Sequence, residues 1–414
     1  MHSSSKVKHK GTFEGLIEKI PYLKELGITA VELMPAYEFE ECEQEKDKQT
    51  IEYQIKHYDE PLPNKGEEKV DMKLNYWGYK EAYYFAPKAS YSASGNPINS
   101  FKSMVREFHK NGMEVIMQFY FPNHIKQGYI LEILKHWVLE YRIDGIHLKG
   151  NRLPVTLLAT EPLFANTKIM CEDFSLGDIY PEQESPIYKN LGYYRDEFMY
   201  DMRKFLKGDA DMLKGFQYHM KNHNPKCGVI NYITNYYGFT LNDLVSYDRK
   251  HNETNGEHNQ DGTDYNYSWN CGIEGPTRKK AIVKLRRKQM KNAISFLMTA
   301  QGTPLLLSGD EFGNSQSGNN NCYCLDNETS WLDWRQIKRN EEFFEFVKTM
   351  IQFRKSHPIL HTQEELTMTD RLGYGCPDLS YHGEEAWKVD LSNYNRHIAM
   401  MYCGRYARRD NKSE

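Results

Sequence analysis

Along most of the chain, short apolar runs alternate with stretches whose apolar residues recur at helical spacing. Leu16, Ile20, Leu23 and Leu26 share one face of a helix predicted over residues 13–26, and Gly27 stops it. An apolar strand at 29–34 follows and ends at Pro35. Residues 40–73 are charged and poor in apolar side chains, which predicts a solvated loop. A short extended piece at 83–86 precedes a helix at 101–110, closed by Asn111-Gly112. Further strands are predicted at 114–121, 143–148, 168–174, 229–234 and 304–308, and further helices at 125–141, 277–301 and 341–355. Residues 379–381 and 397–403 read as strands of a small β unit. Strands alternating with helices argue for parallel βα units. Seven or so units in about 350 residues favour a (β/α)₈ barrel over an open sheet, with its active site at the C-terminal strand ends. No glycine-rich phosphate loop follows any strand, which weighs against nucleotide binding.

Composition narrows this picture without redirecting it. The apolar content of 39%, with 28 glycines in 414 residues, is that of a globular protein able to bury a large core. No run of 18 apolar residues offers a membrane span, and the polar, basic start is unlike a signal peptide, so a cytoplasmic location is expected. Basic and acidic residues nearly cancel, 53 against 57, so neither nucleic acid nor a membrane surface is expected as a partner. Eight cysteines without a C-x-x-C pair read as reduced thiols, and Cys322 and Cys324 are too close for a zinc half-site. No metal and no cofactor are expected; Asp248, Asp261 and Asp264 share one polar loop, but their spacing does not establish converging oxygens. Aromatic residues make up 13%, enough to supply platforms for sugar rings as well as core.

Several segments carry more specific information. They are GTFEGLIEKIPYLKELGITAVELMP at 11–35, NYWGY at 75–79, GFTLNDLVSYDRKHNETNGEHNQDG at 238–262, NYSWNCGIEGPT at 266–277 and QGTPLLLSGDEFGNSQSGNNNCYCLDNETSWLDW at 301–334. In this order they resemble the α-amylase superfamily, and within it the bacterial glycogen-debranching and isoamylase-pullulanase type. The resemblance implies a (β/α)₈ barrel, an α-glucan ligand and hydrolysis of α-1,6 branch linkages with retention. Such a reaction needs two carboxyl groups about 5 Å apart, one attacking the anomeric carbon and one acting as acid and base.

The family's motifs can be followed residue by residue. Where the family has a G-F-R-x-D-like strand end carrying the nucleophile, this chain reads Gly145-Ile146-His147-Leu148-Lys149. Lys149 thus holds the nucleophile position and His147 that of the supporting arginine. Residues 145, 147 and 149 share one strand face, so Asp144, on the other, cannot deputise. An amine cannot form the glycosyl ester. Glu172, in Cys171-Glu172-Asp173-Phe174, keeps the acid/base position. An acid/base group has to carry a proton to the leaving oxygen, and a neighbouring cation works against that. Where His-Asp-Gly is expected, the chain has Tyr236-Tyr237-Gly238, two phenols whose bulk is expected to fill space a glucose ring would need. Gln118 stands for a further Asp. Asn123-His124 imitates the family's Asn-His pair but reads as the N-cap of the next helix, which implies that the long loop walling the cleft is deleted. Tyr79, in Trp77-Gly78-Tyr79, matches the family's aromatic platform for the reacting sugar.

The resemblance also implies a barrel lacking its first strand, since Met1-His2-Ser3-Ser4 follows the place where that strand would end. A barrel domain at 1–362 and a truncated C-terminal β domain at 363–414 are expected. The resulting function is that of a catalytically inactive debranching-type protein. It would bind α-glucan, or pair with an active paralogue or a second copy that covers the exposed barrel edges. The alternatives are an active α-1,6-glucosidase or glucanotransferase with rearranged residues, and an interaction protein without glucan affinity.

Overall fold

The computed structural model describes residues 4–44, 72–180, 186 and 189–407. Most of the predicted 40–73 loop lies outside the described residues. Its two ends, Cys42–Gln44 and Met72–Leu74, pair antiparallel.

Seven parallel strands form one curled sheet, a partial (β/α)₈ barrel. In chain order they are β1 (Ala30–Leu33), β2 (Glu114–Phe121), β3 (Gly145–Gly150), β4 (Lys168–Cys171), β5 (Leu191–Tyr194), β6 (Gly228–Asn231) and β7 (Thr303–Pro304). Each pairs with the next in sequence, the arrangement that successive βα crossovers produce. The register sets Glu32 beside Ile116, Gln118 beside His147, His147 beside Met170, and Tyr194 beside Ile230. Two apolar cores flank this sheet. One joins Phe101, Phe108, Phe119 and Trp137 around β2; the other joins Phe198, Phe216, Phe239, Leu297 and Val347 around the helix Lys280–Thr299. A separate antiparallel pair, β8 (Leu379–His382) and β9 (Ala399–Tyr402), carries its own small cluster with Ile359, Leu360 and Tyr406.

Several local expectations needed correction. The single helix at 13–26 is two, Phe13–Ile17 and Ile20–Leu26, because Pro21 starts a new first turn; Gly27 closes the second at φ 94° as its left-handed cap. The helix predicted at 125–141 runs Gln127–His136 and ends in a wider turn at Trp137–Tyr141. Its N-cap is Lys126, so Asn123 does not cap it; a tight turn bonding Ile125 N to Pro122 O intervenes. The last strand pairs only over Thr303–Pro304, extended by Leu305 N donating to Asn231 O at 2.8 Å. Strand β5 and the helices Val155–Thr160, Glu197–Lys207 and Leu213–Lys221 were not legible in the apolar pattern.

Candidate functional site

The strand register brings inward-facing residues of β1, β2 and β3 into one polar column. Glu32 is the charged centre of the apolar strand Ala-Val-Glu-Leu, and its carboxylate faces two neighbours across the sheet. Gln118 Nε2 donates to Glu32 Oε1 at 2.5 Å, and His147 Nδ1 lies 2.5 Å from the same oxygen. The Tyr79 hydroxyl completes the column by donating to Gln118 Oε1. His147 is fully buried, and burial pulls its imidazole below the ordinary value, so the neutral ring donates Nδ1–H to Glu32. Its ring lies against Tyr194 at 4.2 Å, and Tyr194 against Tyr232 at 4.6 Å. Two atoms of the column, Glu32 Oε2 and His147 Nε2, are buried without a hydrogen-bond partner among the described residues.

Above the column sits Lys149. Its ammonium lies 4.6 Å over the Tyr194 ring, 5.8 Å from that of Tyr236, and 3.4 Å from Glu172 Oε1. Lys149 is mostly buried, whereas the Glu172 side chain is 75% exposed. The two residues expected from the sequence at the nucleophile and acid/base positions therefore form an ion pair whose carboxylate faces solvent. Arg195 braces the Glu172 segment, donating from Nε to Glu172 O at 3.3 Å and from Nη2 to Asp173 Oδ1 at 3.3 Å. Asp144 is spent elsewhere, accepting from Val115 N at 2.7 Å beside His109.

The aromatic wall is built by Tyr79, Trp77 and Tyr236. The Tyr236 ring meets Trp77 at 5.3 Å and Tyr79 at 5.6 Å, both edge to face. Burial raises the Tyr79 hydroxyl well above its ordinary value, so it stays a donor to Gln118. Tyr237 does not share this wall. Its side chain is 44% exposed and its backbone N–H turns to Asn235 Oδ1, so only one of the two adjacent phenols fills the site.

Of the predicted positions, Tyr79, Gln118, His147, Lys149, Glu172 and Tyr236 come together and Tyr237 stands apart. Glu32 and Trp77 complete the group. Glu32 had one readable signal, a lone charge in the middle of an apolar strand. The loop carboxylates are engaged in bracing. Asp261 Oδ2 accepts from the amides of Asn255 and Asn321 at 2.7 and 2.9 Å, Asp264 pairs with Lys250 at 2.9 Å, and Asp248 accepts from Asn270 N at 2.7 Å. Among the described residues, no group of three or more His, Cys, Asp or Glu side chains could hold a metal ion, and no helix is long and apolar enough to cross a membrane.

The profile of the α-amylase catalytic domain matches residues 2–130, which include Tyr79 and Gln118 and stop before Lys149 and Glu172. A chloroplastic isoamylase 3 of Oryza sativa subsp. japonica is 32% identical over 461 residues, covering 93% of this chain and 55% of the relative. A glycogen operon protein GlgX homolog of Haemophilus influenzae is 33% identical, covering 84% of this chain and 60% of the relative. The chain thus spans somewhat over half the length of these relatives. A pullulanase of Paenibacillus barengoltzii, solved with maltohexaose and α-cyclodextrin, superposes with a TM-score of 0.64 at 17% identity, covering 93% of this chain and 64% of that one. Colinear motifs, a parallel sheet with its polar column at the expected strands, and these sequence relationships agree, and the chain belongs to the α-amylase superfamily, in its isoamylase and glycogen-debranching branch.

Proposed function

We propose that this chain is a non-hydrolysing member of the branch that binds α-glucan. The observation that carries the reading is the Lys149–Glu172 pair at 3.4 Å, with an amine where retaining chemistry needs an attacking carboxylate. Loss of a nucleophile alone costs several orders of magnitude in rate. Tyr236 and Gln118 replace further polar groups of the mechanism, and their contacts with Trp77 and Tyr79 occupy the floor on which the reacting sugar would sit. Glucan as ligand is supported by the oligosaccharides present in the pullulanase structure. In this reading residues 1–362 are the barrel and 363–414 a partial β domain. The outer edges of β1 and β7, which pair with no further strand among the described residues, are where an active paralogue or a second copy would add.

The test is reducing-end release from glycogen and pullulan by the purified chain, together with its retardation in glycogen-containing gels. The expected result is retardation without release. Release that disappears in Glu172→Gln would sink the reading in favour of an active α-1,6-glucosidase, and unchanged migration would favour an interaction protein without glucan affinity.

A further inference from the structure

We propose that glucan is held at a groove on the outer face of the sheet, between β5, β6 and the helices Glu197–Lys207 and Leu213–Lys221. The proposal rests on the glucan-binding reading and assigns it a place away from the central cleft. Neighbouring side chains on β5 face opposite ways: Tyr194 lies against His147 inside, and Tyr193 points outward, beside Val229 in the register. The outward side opens on a cavity of about 250 Å³, lined among others by Tyr193, Arg195, Glu197, Tyr218 and Asn222. That is below the roughly 300–1,000 Å³ of ordinary small-molecule pockets, so the groove admits only a small ring.

The lining chemistry selects the ligand. Arg195 is answered by Asp173 at 3.3 Å and by Glu197 at 4.0 Å, so the guanidinium in the lining is already paired with carboxylates. The Tyr218 hydroxyl and the Asn222 amide have no hydrogen-bond partner among the described residues, and Tyr218 is 57% exposed. An exposed tyrosine ring, met edge to face by His219 at 5.1 Å, beside a side-chain amide, a phenol and a carboxylate fits a neutral polyhydroxyl ring. The ring's C–H face stacks on the tyrosine, and its hydroxyls both donate and accept. Arg195 also donates to the backbone carbonyl of Glu172 at 3.3 Å, so the groove adjoins the wall of the cleft. A glucan lying in it would therefore need no access to the floor occupied by Tyr79 and Tyr236.

The full chain is titrated with maltohexaose by calorimetry, alongside retardation in glycogen gels. Tyr218→Ala and Asn222→Ala are each expected to weaken maltohexaose binding at least about fivefold, as loss of a stacking or hydrogen-bonding group does. Both are expected to unfold at the parent's temperature, because neither side chain is buried in a core. Tyr265→Ala, at a 74% exposed tyrosine that does not line the groove, is expected to bind like the parent. Parent-like binding by both groove variants, with binding by the parent, overturns the groove and leaves glucan binding intact. Absence of binding by the parent overturns both.

Discussion

Replacing Glu32 by alanine removes the acceptor shared by two buried donors, Gln118 Nε2 and His147 Nδ1, each 2.5 Å from Oε1. Gln118 is 3% exposed and His147 is fully buried, so neither donor can turn to water. A buried group left without its partner costs about 1–3 kcal/mol, so Glu32→Ala should destabilise the fold by about 2–6 kcal/mol, with the upper part offset where the gap admits a water. Against total stabilities of about 5–15 kcal/mol, the variant should still fold at 25 °C but with a clearly lower urea midpoint and an unchanged m-value. Glu32→Gln keeps one acceptor oxygen and should fall between variant and parent. The sharper measurement is a double-mutant cycle with His147→Ala. If the column acts as a unit, the two losses should fail to add by about 1 kcal/mol or more. A Glu32→Ala cost below about 0.5 kcal/mol, or a cycle additive within that margin, would refute the view that Glu32 holds the inner layer together.

Lys149→Met should change stability by less than about 1 kcal/mol in urea unfolding, because its partner Glu172 is 75% exposed and water screens the pair. The combined variant Gln118→Asp, His147→Arg, Lys149→Asp and Tyr237→Asp should still release no reducing ends from glycogen, since Tyr236 remains packed on Trp77 and Tyr79; measurable turnover would show that the cleft was otherwise intact. Burial pushes the Asp310 carboxyl up to about 7 from an ordinary 3.8. A raised folded-state value means that its contribution is fully present below 3.8 and is lost as pH rises through about 7, so Asp310→Asn should flatten the parent's decline in stability over that window; identical pH profiles would contradict it. Arg354 donates to the carbonyls of Met298, Ala300 and Gly302 at 3.0, 2.6 and 2.5 Å, just ahead of β7, and Arg354→Met should cost about 3 kcal/mol or more, read as a lowered urea midpoint.

How far the chain could be read in advance differs from element to element. The alternation in Gly145-Ile146-His147-Leu148-Lys149 placed His147 and Lys149 on one face, and the structure keeps them there. The helix Glu341–Ser356 was legible to within a residue, because its apolar spacing is uninterrupted and Glu341 and Glu342 open its first turn. Strand β5 was missed because it is only four residues long, with Gly192 interrupting an already short apolar run. The break at Lys19 was missed because helical periodicity continues through it, and only Pro21 marks a new start. Tyr236 and Tyr237 were read as equivalent; one packs on Trp77 and the other faces solvent, a distinction made by partners from residues 75–79.

The amino-acid sequence by itself determined the βα alternation, the membership in the α-amylase superfamily and the chemical identity of the residues at its motif positions. These are local properties: periodicity along a segment, and side-chain type at a given place in a motif. Tertiary structure alone decided which of those side chains meet. Glu32 and His147 are 115 residues apart in sequence and touch only because β1, β2 and β3 stack in one parallel register, where a one-residue slip would send either to the other face. The same register turns Tyr194 inward and Tyr193 outward, and so separates a filled centre from an open groove.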